Sequence, residues 1–530
     1  MATAASIPAH RVESVSEEGT TQFLQRPEIY VDGTAHVECI ETHTSWVFLT
    51  HRWAFKLKKP VRFEFLDFSS LTLREQACRE ELRINRRLAP NVYIDVVPIT
   101  VRGHQLKLGP PGQVVDWVVK MRRLPADQAL DRLIKLRSVK NSDVEWIAQT
   151  LSEFYQQLPP VPLKTDDYLE NIARHVRGNE VELLQARHDL DAESVERVHE
   201  AQRLLLALAP EILESRVLDG RIVEGHGDLR PEHVYLTLQP VIIDGIEFNR
   251  EYRILDVADE LSFFAMECAK LDAAWIGQHV LDRYRACAGD NPPATLIAFY
   301  KAYRACVRAK VSALRAEQLA GQPTRDALAD ARRYLNLASE FARGIGPPLM
   351  IVIRGRSGTG KSTLATAIAE RLGITRLQTD VIRRQIQAAS GQEPAYGQAR
   401  YDMDSRQLVY NDMLRRADAI LSQGRSVVLD GTFLLAGWRA QALDVARRCD
   451  ALPAFFRCEC PDEVALARIA QRAARGGEAS EARAEVFQQQ ATNEEPDPAQ
   501  IESIVVDTMA PLPEMLDGAI AELKLAFNNN

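Results

Sequence analysis

Gly355-Arg356-Ser357-Gly358-Thr359-Gly360-Lys361-Ser362 fits the pattern G-x-x-x-x-G-K-[ST], and Thr363 follows it. The pattern meets a chemical need. Main-chain N–H groups can wrap a phosphate only where side chains stay clear, so glycines supply both the sharp turns and the room. Lys361 can then reach the β- and γ-phosphates of ATP, and Ser362 can ligate Mg2+. The start of the following helix adds positive potential. An apolar run over 349–354 leads into the loop and an amphipathic helix over 361–372 leaves it, which is the context this chemistry requires. Chance expects roughly 0.02 such matches in a chain of this size, with Gly at about 7% of residues. Lys361 and Lys524 are also the only lysines after Gly346, in a region where arginine fills nearly every other basic position. Residues Gly355 to Thr363 are therefore read as the ATP-binding loop.

Strands over 376–379, 426–430, 454–458 and 504–507 alternate with helices over 406–421, 438–448 and 462–474. Alternation of this kind needs crossovers on a parallel sheet, hence a doubly wound α/β layer. The whole segment resembles the small P-loop kinases, the group that includes gluconate kinase, the kinase domain of polynucleotide kinase and the zeta-toxin-like ATPases. The resemblance implies that Asp380, after the second strand, positions or deprotonates an acceptor hydroxyl; an N-cap is the structural alternative. It implies that Asp430, ending the third strand, holds magnesium through water or touches substrate. Arg468 and Arg472, with Arg475 beyond them, correspond to an arginine-bearing lid, and a solvated helix face is the alternative.

A second cluster of chemically capable residues lies earlier. Gly225-His226-Gly227-Asp228-Leu229-Arg230-Pro231-Glu232-His233 precedes the apolar run Val241-Ile242-Ile243 and then Asp244. The segment resembles the catalytic loop and metal-binding segment of the aminoglycoside phosphotransferase family, which shares the protein-kinase fold. The resemblance implies that Asp228 orients the acceptor hydroxyl and that Asp244 binds magnesium. Phosphoryl transfer needs two such separated carboxylates, because it is chiefly positioning and charge neutralisation. In Trp53-Ala54-Phe55-Lys56-Leu57-Lys58, Lys56 corresponds to the lysine that holds the α- and β-phosphates, and Glu81 to its paired carboxylate, with Lys58 and Glu80 as alternatives. Residues 117–124 correspond to the hinge. The sequence departs from the family pattern twice: His233 stands where the family has a metal-binding asparagine, and Thr42-His43-Thr44-Ser45-Trp46 replaces a glycine-rich loop. Imidazole can ligate a divalent ion, so His233 is kept as a metal candidate. His226 is read as a packing histidine that braces the loop.

These sites need three pieces of chain to position them. Residues 1–30 lack periodicity and read as a mobile segment. Residues 31–345 carry short strands, a helix near 72–88, a strand over 114–121 and then a mostly helical stretch, as a bilobal protein-kinase-like α+β domain requires. Gly344-Ile345-Gly346-Pro347-Pro348 ends that pattern, and 346–530 form the P-loop kinase domain. At 530 residues the chain exceeds one ordinary core. A net charge of -8 with interspersed signs provides no basic field for duplex nucleic acid. The eight cysteines lack zinc spacing and read as reduced and buried. With no apolar segment long enough to span a membrane, the expected location is cytoplasmic. Chains that join both resemblances are identified as bacterial two-domain proteins. They imply an ATP- and Mg2+-dependent kinase acting on a hydroxyl group of a small molecule, with two ATP sites. Two alternatives stay open: one domain is a pseudokinase or ligand sensor that regulates the other, or the P-loop domain phosphorylates 5′-hydroxyl nucleic-acid ends.

Overall fold

The computed structural model describes residues 17–63, 66–103, 105–390, 403–475 and 484–529. The chain divides into two compact units, one holding the chain up to Pro162 with Asp219–Pro292, the other Leu163–Leu218 with Pro293–Asn530. N-terminal mixed α/β protein-kinase-like lobes precede a C-terminal domain built on a parallel sheet. No helix among the described residues is long and apolar enough to cross a membrane.

The first unit opens with helix α1 (Glu17–Leu24). It continues with strands β1 (Glu38–Glu41), β2 (Ser45–Leu49) and β3 (Trp53–Lys58), helix α2 (Leu71–Asn85), and strands β4 (Tyr93–Arg102), β5 (Gln105–Leu108) and β6 (Gln113–Arg122). The six strands form an antiparallel sheet in the order β1-β2-β3-β6-β4-β5. Strand periodicity divides β3 between its two faces. Phe55 and Leu57 join Phe48, Ile99 and Val118 in one apolar cluster, whereas Ala54 packs with Cys78 of α2 on the other side. Lys56 and Lys58 share the face of Ala54 and therefore point toward α2. Residues 17–30 are not a mobile segment, because Phe23, Leu24 and Tyr30 are buried in the first cluster and Tyr30 Oη donates to the Leu24 carbonyl. Three large apolar side chains near one end of a polar stretch are enough to dock it.

Beyond the sheet, Ile222–Glu224 pairs with Ile254–Asp256, and Val234–Leu236 with Pro240–Ile242. These two short ladders frame the loop at 225–233 and the turn at 243–247. Strand pairing ends at Ile242, and Asp244 takes φ +65°, outside any strand conformation. Helices Asn141–Gln157, Val257–Lys270 and Ala274–Ala288 complete this unit.

In the second unit, β7 (Leu349–Arg354), β8 (Thr375–Gln378), β9 (Val427–Asp430), β10 (Leu452–Glu459) and β11 (Ser503–Asp507) form a parallel sheet in the order β8-β9-β7-β10-β11. All six residues of β7 are buried, as a central parallel strand with both faces covered requires. The connections run outward from β7 to β8 and β9, then cross to β10 and β11, so the direction of winding reverses at β7. Ligands bind outside the carboxyl ends of the strands at such a reversal. Helix α3 (Lys361–Leu372) follows the glycine loop there. Helix α4 (Thr379–Ser390) starts directly at the end of β8 and holds Asp380 in its first turn. Helix α5 (Asp462–Arg475) follows β10.

The turn at Gly344–Pro348 does not separate compact units. Helix Ala192–Leu208 presents the buried Glu200, whose carboxylate accepts from Ser426 N at the entry to β9 and faces Arg425 at 3.5 Å. Asn528 Nδ2 donates to Glu211 at 2.6 Å, and Gly346 has no Cβ to obstruct the Phe527 ring. Long helices thus pack with the parallel sheet instead of ending where the chain breaks its pattern. All eight cysteines are free, and Cys78, Cys268, Cys306 and Cys458 are buried. Cys39 and Cys287 depart from the expected burial, Cys39 because it lies on a fully exposed edge strand.

Helix Val257–Lys270 reaches its place because Gly277 lets helix Ala274–Ala288 cross it at backbone contact. A Cβ on Gly277 would lie 2.4 Å from Ala265 Cα and 2.6 Å from Ala265 Cβ. Gly277→Ala should therefore cost roughly 1–3 kcal/mol of stability, since overpacking outweighs the ~1 kcal/mol that alanine gains over glycine in a helix. Urea denaturation followed by circular dichroism checks this, and an unchanged or raised midpoint would contradict it.

Candidate functional site

In the first unit, β3 and α2 bring three of the sequence-selected residues together. Lys56 Nζ lies 2.9 Å from Glu81 Oε1 and 2.7 Å from Asp244 Oδ1. Glu81 is fully buried and its second oxygen accepts from Lys58 Nζ at 2.7 Å, so one carboxylate serves both lysines. Lys58 in turn pairs with Glu247, and its side chain is fully buried. Glu80 turns away from both, toward Arg83 at 2.7 Å and Arg253 at 2.6 Å. Burial opposes ionisation of these groups, but the two lysines hold the Glu81 carboxyl below its ordinary value. In the same way, Lys56 foremost holds Asp244 well below the usual carboxylate range. Lys56 is itself raised, as Asp244 and Glu81 outweigh its desolvation.

Asp244 sits in the left-handed region at φ +65°, a strained position for a non-glycine residue, costing about 1–3 kcal/mol. Its neighbours hold it there. Tyr93 Oη accepts from Asp244 N at 3.2 Å, and Asn85 Oδ1 accepts from Gly245 N at 2.8 Å. The catalytic-loop candidate is anchored from behind by Glu260, which is wholly buried on helix Val257–Lys270. Its carboxylate accepts from His226 N at 3.0 Å, from Gly227 N, and from Tyr155 Oη at 2.7 Å. Arg87 donates to the Glu224 and Gly225 carbonyls, each at 2.7 Å. Asp228 Oδ2 pairs with Arg230 Nη2 at 2.9 Å, and His233 spans the gap between the two acids. One ring nitrogen lies 2.9 Å from the Asp228 carbonyl and the other 3.7 Å from Asp244 Oδ2. His226 packs inside the loop, hydrogen-bonded to the Ile243 carbonyl at 2.9 Å.

In the second unit the glycine loop has the conformation its chemistry asks for. Gly355, Gly358 and Gly360 take φ +143°, +81° and +87°. A Cβ on Gly358 would lie 2.4 Å from the Ala465 carbonyl, and one on Gly355 2.7 Å from the Cys458 carbonyl, so neither position admits a side chain. Ser362 Oγ lies 3.2 Å from Asp430 Oδ1, and Arg376 Nη2 is 2.8 Å from Asp430 Oδ2. The buried Asp430 and the Ser362 hydroxyl thus form an oxygen pair suited to Mg2+, beside a cradle that fits a nucleotide phosphate. Lys361 makes no ion pair among the described residues, which leaves its ammonium available to phosphate. Register pairs Gln378 with Asp430, so Asp380, two residues on, reaches the same sheet edge in the first turn of α4, where Arg383 pairs with it at 3.1 Å.

Arg468 donates from both terminal nitrogens to Thr508, at 3.1 Å to Oγ1 and 2.8 Å to the carbonyl, and Thr508 packs against Gly360. Its guanidinium therefore lies next to the loop, held to the chain beyond β11. Arg472 and Arg475 fall on the last turns of α5, but their side chains, like residues 476–483, lie outside the described residues.

A family described as "AAA domain" matches residues 350–496. The protein named Uncharacterized protein Rv2004c of Mycobacterium tuberculosis is 33% identical over 459 residues, covering 85% of this chain and 88% of that one. This chain belongs to the Rv2004c family. It is also similar to an adenylate kinase of Stenotrophomonas maltophilia, 32% identical over 147 residues, which is 25% of this chain and 73% of that protein. Among solved structures, a gluconokinase from Sinorhizobium meliloti 1021 is 23% identical, covering 34% of this chain and 95% of its own, with a TM-score of 0.27. A choline/ethanolamine kinase family protein from Mesorhizobium loti is 13% identical, covering 61% and 99%, with a TM-score of 0.34.

In this member of the Rv2004c family, sequence reasoning missed Glu247, Glu260, Arg376 and Gln490. Gln490 accepts from Ser357 N at 2.8 Å and donates to Ser357 Oγ at 3.0 Å, so it steadies the phosphate loop. One signal was available for Lys58. Lysines at i and i+2 of a strand share a face, so both had to be neutralised on the α2 side. The partners of Glu260 and Gln490 lie 34 and 133 residues away, where no local pattern points to them.

The entry to the 225–233 loop carries a pH signature. Burial works against the Glu224 charge, yet hydrogen bonds from Arg253 and Arg83 hold its carboxyl at about 2, against 4.5 unperturbed. Stability from this cluster is therefore complete above pH 4.5 and is lost as the pH falls toward 2. Glu224→Gln should flatten the decline of the thermal midpoint across that window, and an unaltered slope would contradict the assignment.

Proposed function

We propose that this protein is an ATP- and Mg2+-dependent phosphotransferase with two nucleotide sites, moving a phosphoryl group to a hydroxyl of a small molecule such as a sugar, polyol, nucleoside or aminoglycoside-like compound. The observation that carries this reading is the convergence of Lys56, Glu81 and Asp244 within 2.9 Å, beside a loop that offers Asp228. Lys56, positioned by Glu81, would hold the α- and β-phosphates, with Asp244 taking the metal. Asp228 would align the acceptor hydroxyl and take its proton, a contribution of about 10²- to 10⁴-fold. In the P-loop domain, the main chain from Gly355 to Thr363 would cradle the phosphates. Lys361 would reach the β- and γ-positions, Ser362 and Asp430 would hold the metal, and Asp380 would receive the acceptor. Arg468 and Arg472 would compensate charge on the transferring group as water is excluded. A bound divalent metal ion would supply neutralisation of phosphate charge at both centres.

Calorimetry on the full chain tests the two-site reading. The wild type should bind two ATP analogues per chain and Lys361→Ala one; a single site in both would overturn it. The activity test is an ATP-consumption screen against hydroxylated small molecules and short RNA ends, with mass spectrometry of the products. Asp228→Asn should remove one product and Asp380→Asn the other, each by about 10²-fold or more with ATP binding kept. If hydrolysis persists and no acceptor depends on either acid, an ATP-driven switch replaces this proposal.

A further inference from the structure

We infer that the metal position of the first unit is built for a first-row transition dication in preference to magnesium, with His233 Nε2 and the Asp244 carboxylate as its protein ligands. The inference rests on the reading of this unit as a phosphotransferase centre and concerns which ion it takes. His233 is 7% exposed and ends the short turn Pro231–His233. Its Nδ1 lies 2.9 Å from the Asp228 carbonyl oxygen. A carbonyl can only accept, so Nδ1 carries the proton and Nε2 is left with its lone pair. As the side chains stand, that lone pair accepts from Arg230 Nη2 at 3.3 Å, so a bound ion replaces this hydrogen bond while Arg230 keeps its pair with Asp228 Oδ2 at 2.9 Å. That lone pair is 3.7 Å from Asp244 Oδ2, while the other Asp244 oxygen is engaged by Lys56 at 2.7 Å.

A side chain here must do two things: donate to the Asp228 carbonyl and turn an electron pair toward Asp244. An amide does both with a nitrogen and an oxygen. Imidazole does both with two nitrogens, and this changes the preferred ion. Magnesium favours an all-oxygen octahedron, whereas affinity for nitrogen ligands rises along the first transition row. The neighbouring His226 cannot substitute, because its Nε2 donates to the Ile243 carbonyl at 2.9 Å and its Nδ1 accepts from Asp228 N at 3.3 Å. The P-loop site has no such ligand, since all eleven histidines lie before residue 280. The two centres of one chain therefore differ in metal preference.

Manganese(II) is the probe, added with ADP to full-length protein carrying 15N-labelled histidine and read by pulsed EPR. Histidine-nitrogen coupling to bound Mn2+ is expected in the wild type and absent in His233→Asn, which keeps an N–H for the Asp228 carbonyl. The same variant should lower the Mn2+-over-Mg2+ preference of this site about tenfold or more, by competition titration. His233→Ala should also lose the coupling, and thermal melting shows whether either variant still folds. His188, which meets Glu182 at 2.8 Å, serves as the control, and His188→Asn should leave the coupling intact. Bound manganese without histidine coupling, or coupling that survives in His233→Asn, overturns the inference while phosphotransfer stands. Failure of the first unit to bind nucleotide at all removes the underlying reading too.

Discussion

Glu81 neutralises two lysines of one strand, and the geometry of the first unit follows from that. Lys56 and Lys58 share a face of β3 because strand side chains alternate, so both must be compensated from the same direction. Glu81 has two oxygens and gives one to each. The remaining bonds of the lysines go to Asp244 and Glu247, which belong to a single turn more than 180 residues later in the chain. The sheet, helix α2 and the 244–247 turn are thereby locked to one another by charge. Such a network contributes little net stability, because desolvation offsets attraction, but removing one partner leaves an unpaired buried charge at about 3–5 kcal/mol. Its consequence is positional: Asp244 is held in a strained conformation with a defined oxygen on each side.

The candidate site of the second unit is built by a different physical route. Its loop depends on clearance, with three glycines at positive φ, two of which face carbonyls that leave no space for a Cβ. The groups it offers are main-chain N–H groups and one lysine from a single stretch of chain, so little has to be aligned from far away. The first unit instead assembles side chains from a strand, a helix, a loop and a turn. It needs Glu260 behind the loop and Asn85 and Tyr93 behind the turn to keep them in place. One unit relies on backbone shape and the other on a buried charge network, yet both present an acid, a cation and a metal-capable oxygen in a small space.

Much of this was legible in the residues. The glycine loop, its flanking strand and helix, and the alternation of strands and helices after Gly346 are local patterns whose chemistry and periodicity lie within a few residues of one another. The expected strand 349–354 and helix 361–372 coincide with β7 and α3. Asp228, Asp244, Lys56 and Glu81 could be named because each lies in a short segment that resembles a family motif. Tertiary packing decided the rest. It chose Glu81 over Glu80, because Arg253 captures Glu80, and it recruited Glu247 and Glu260 across long separations. It docked residues 17–30, which composition alone leaves without partners, and it grouped Leu163–Leu218 with the parallel sheet despite the break at Gly344–Pro348. Local sequence specifies what each segment can do. Which buried charge meets which, and which apolar faces cover one another, are pairwise energies between distant segments, and they exist only once the chain has folded.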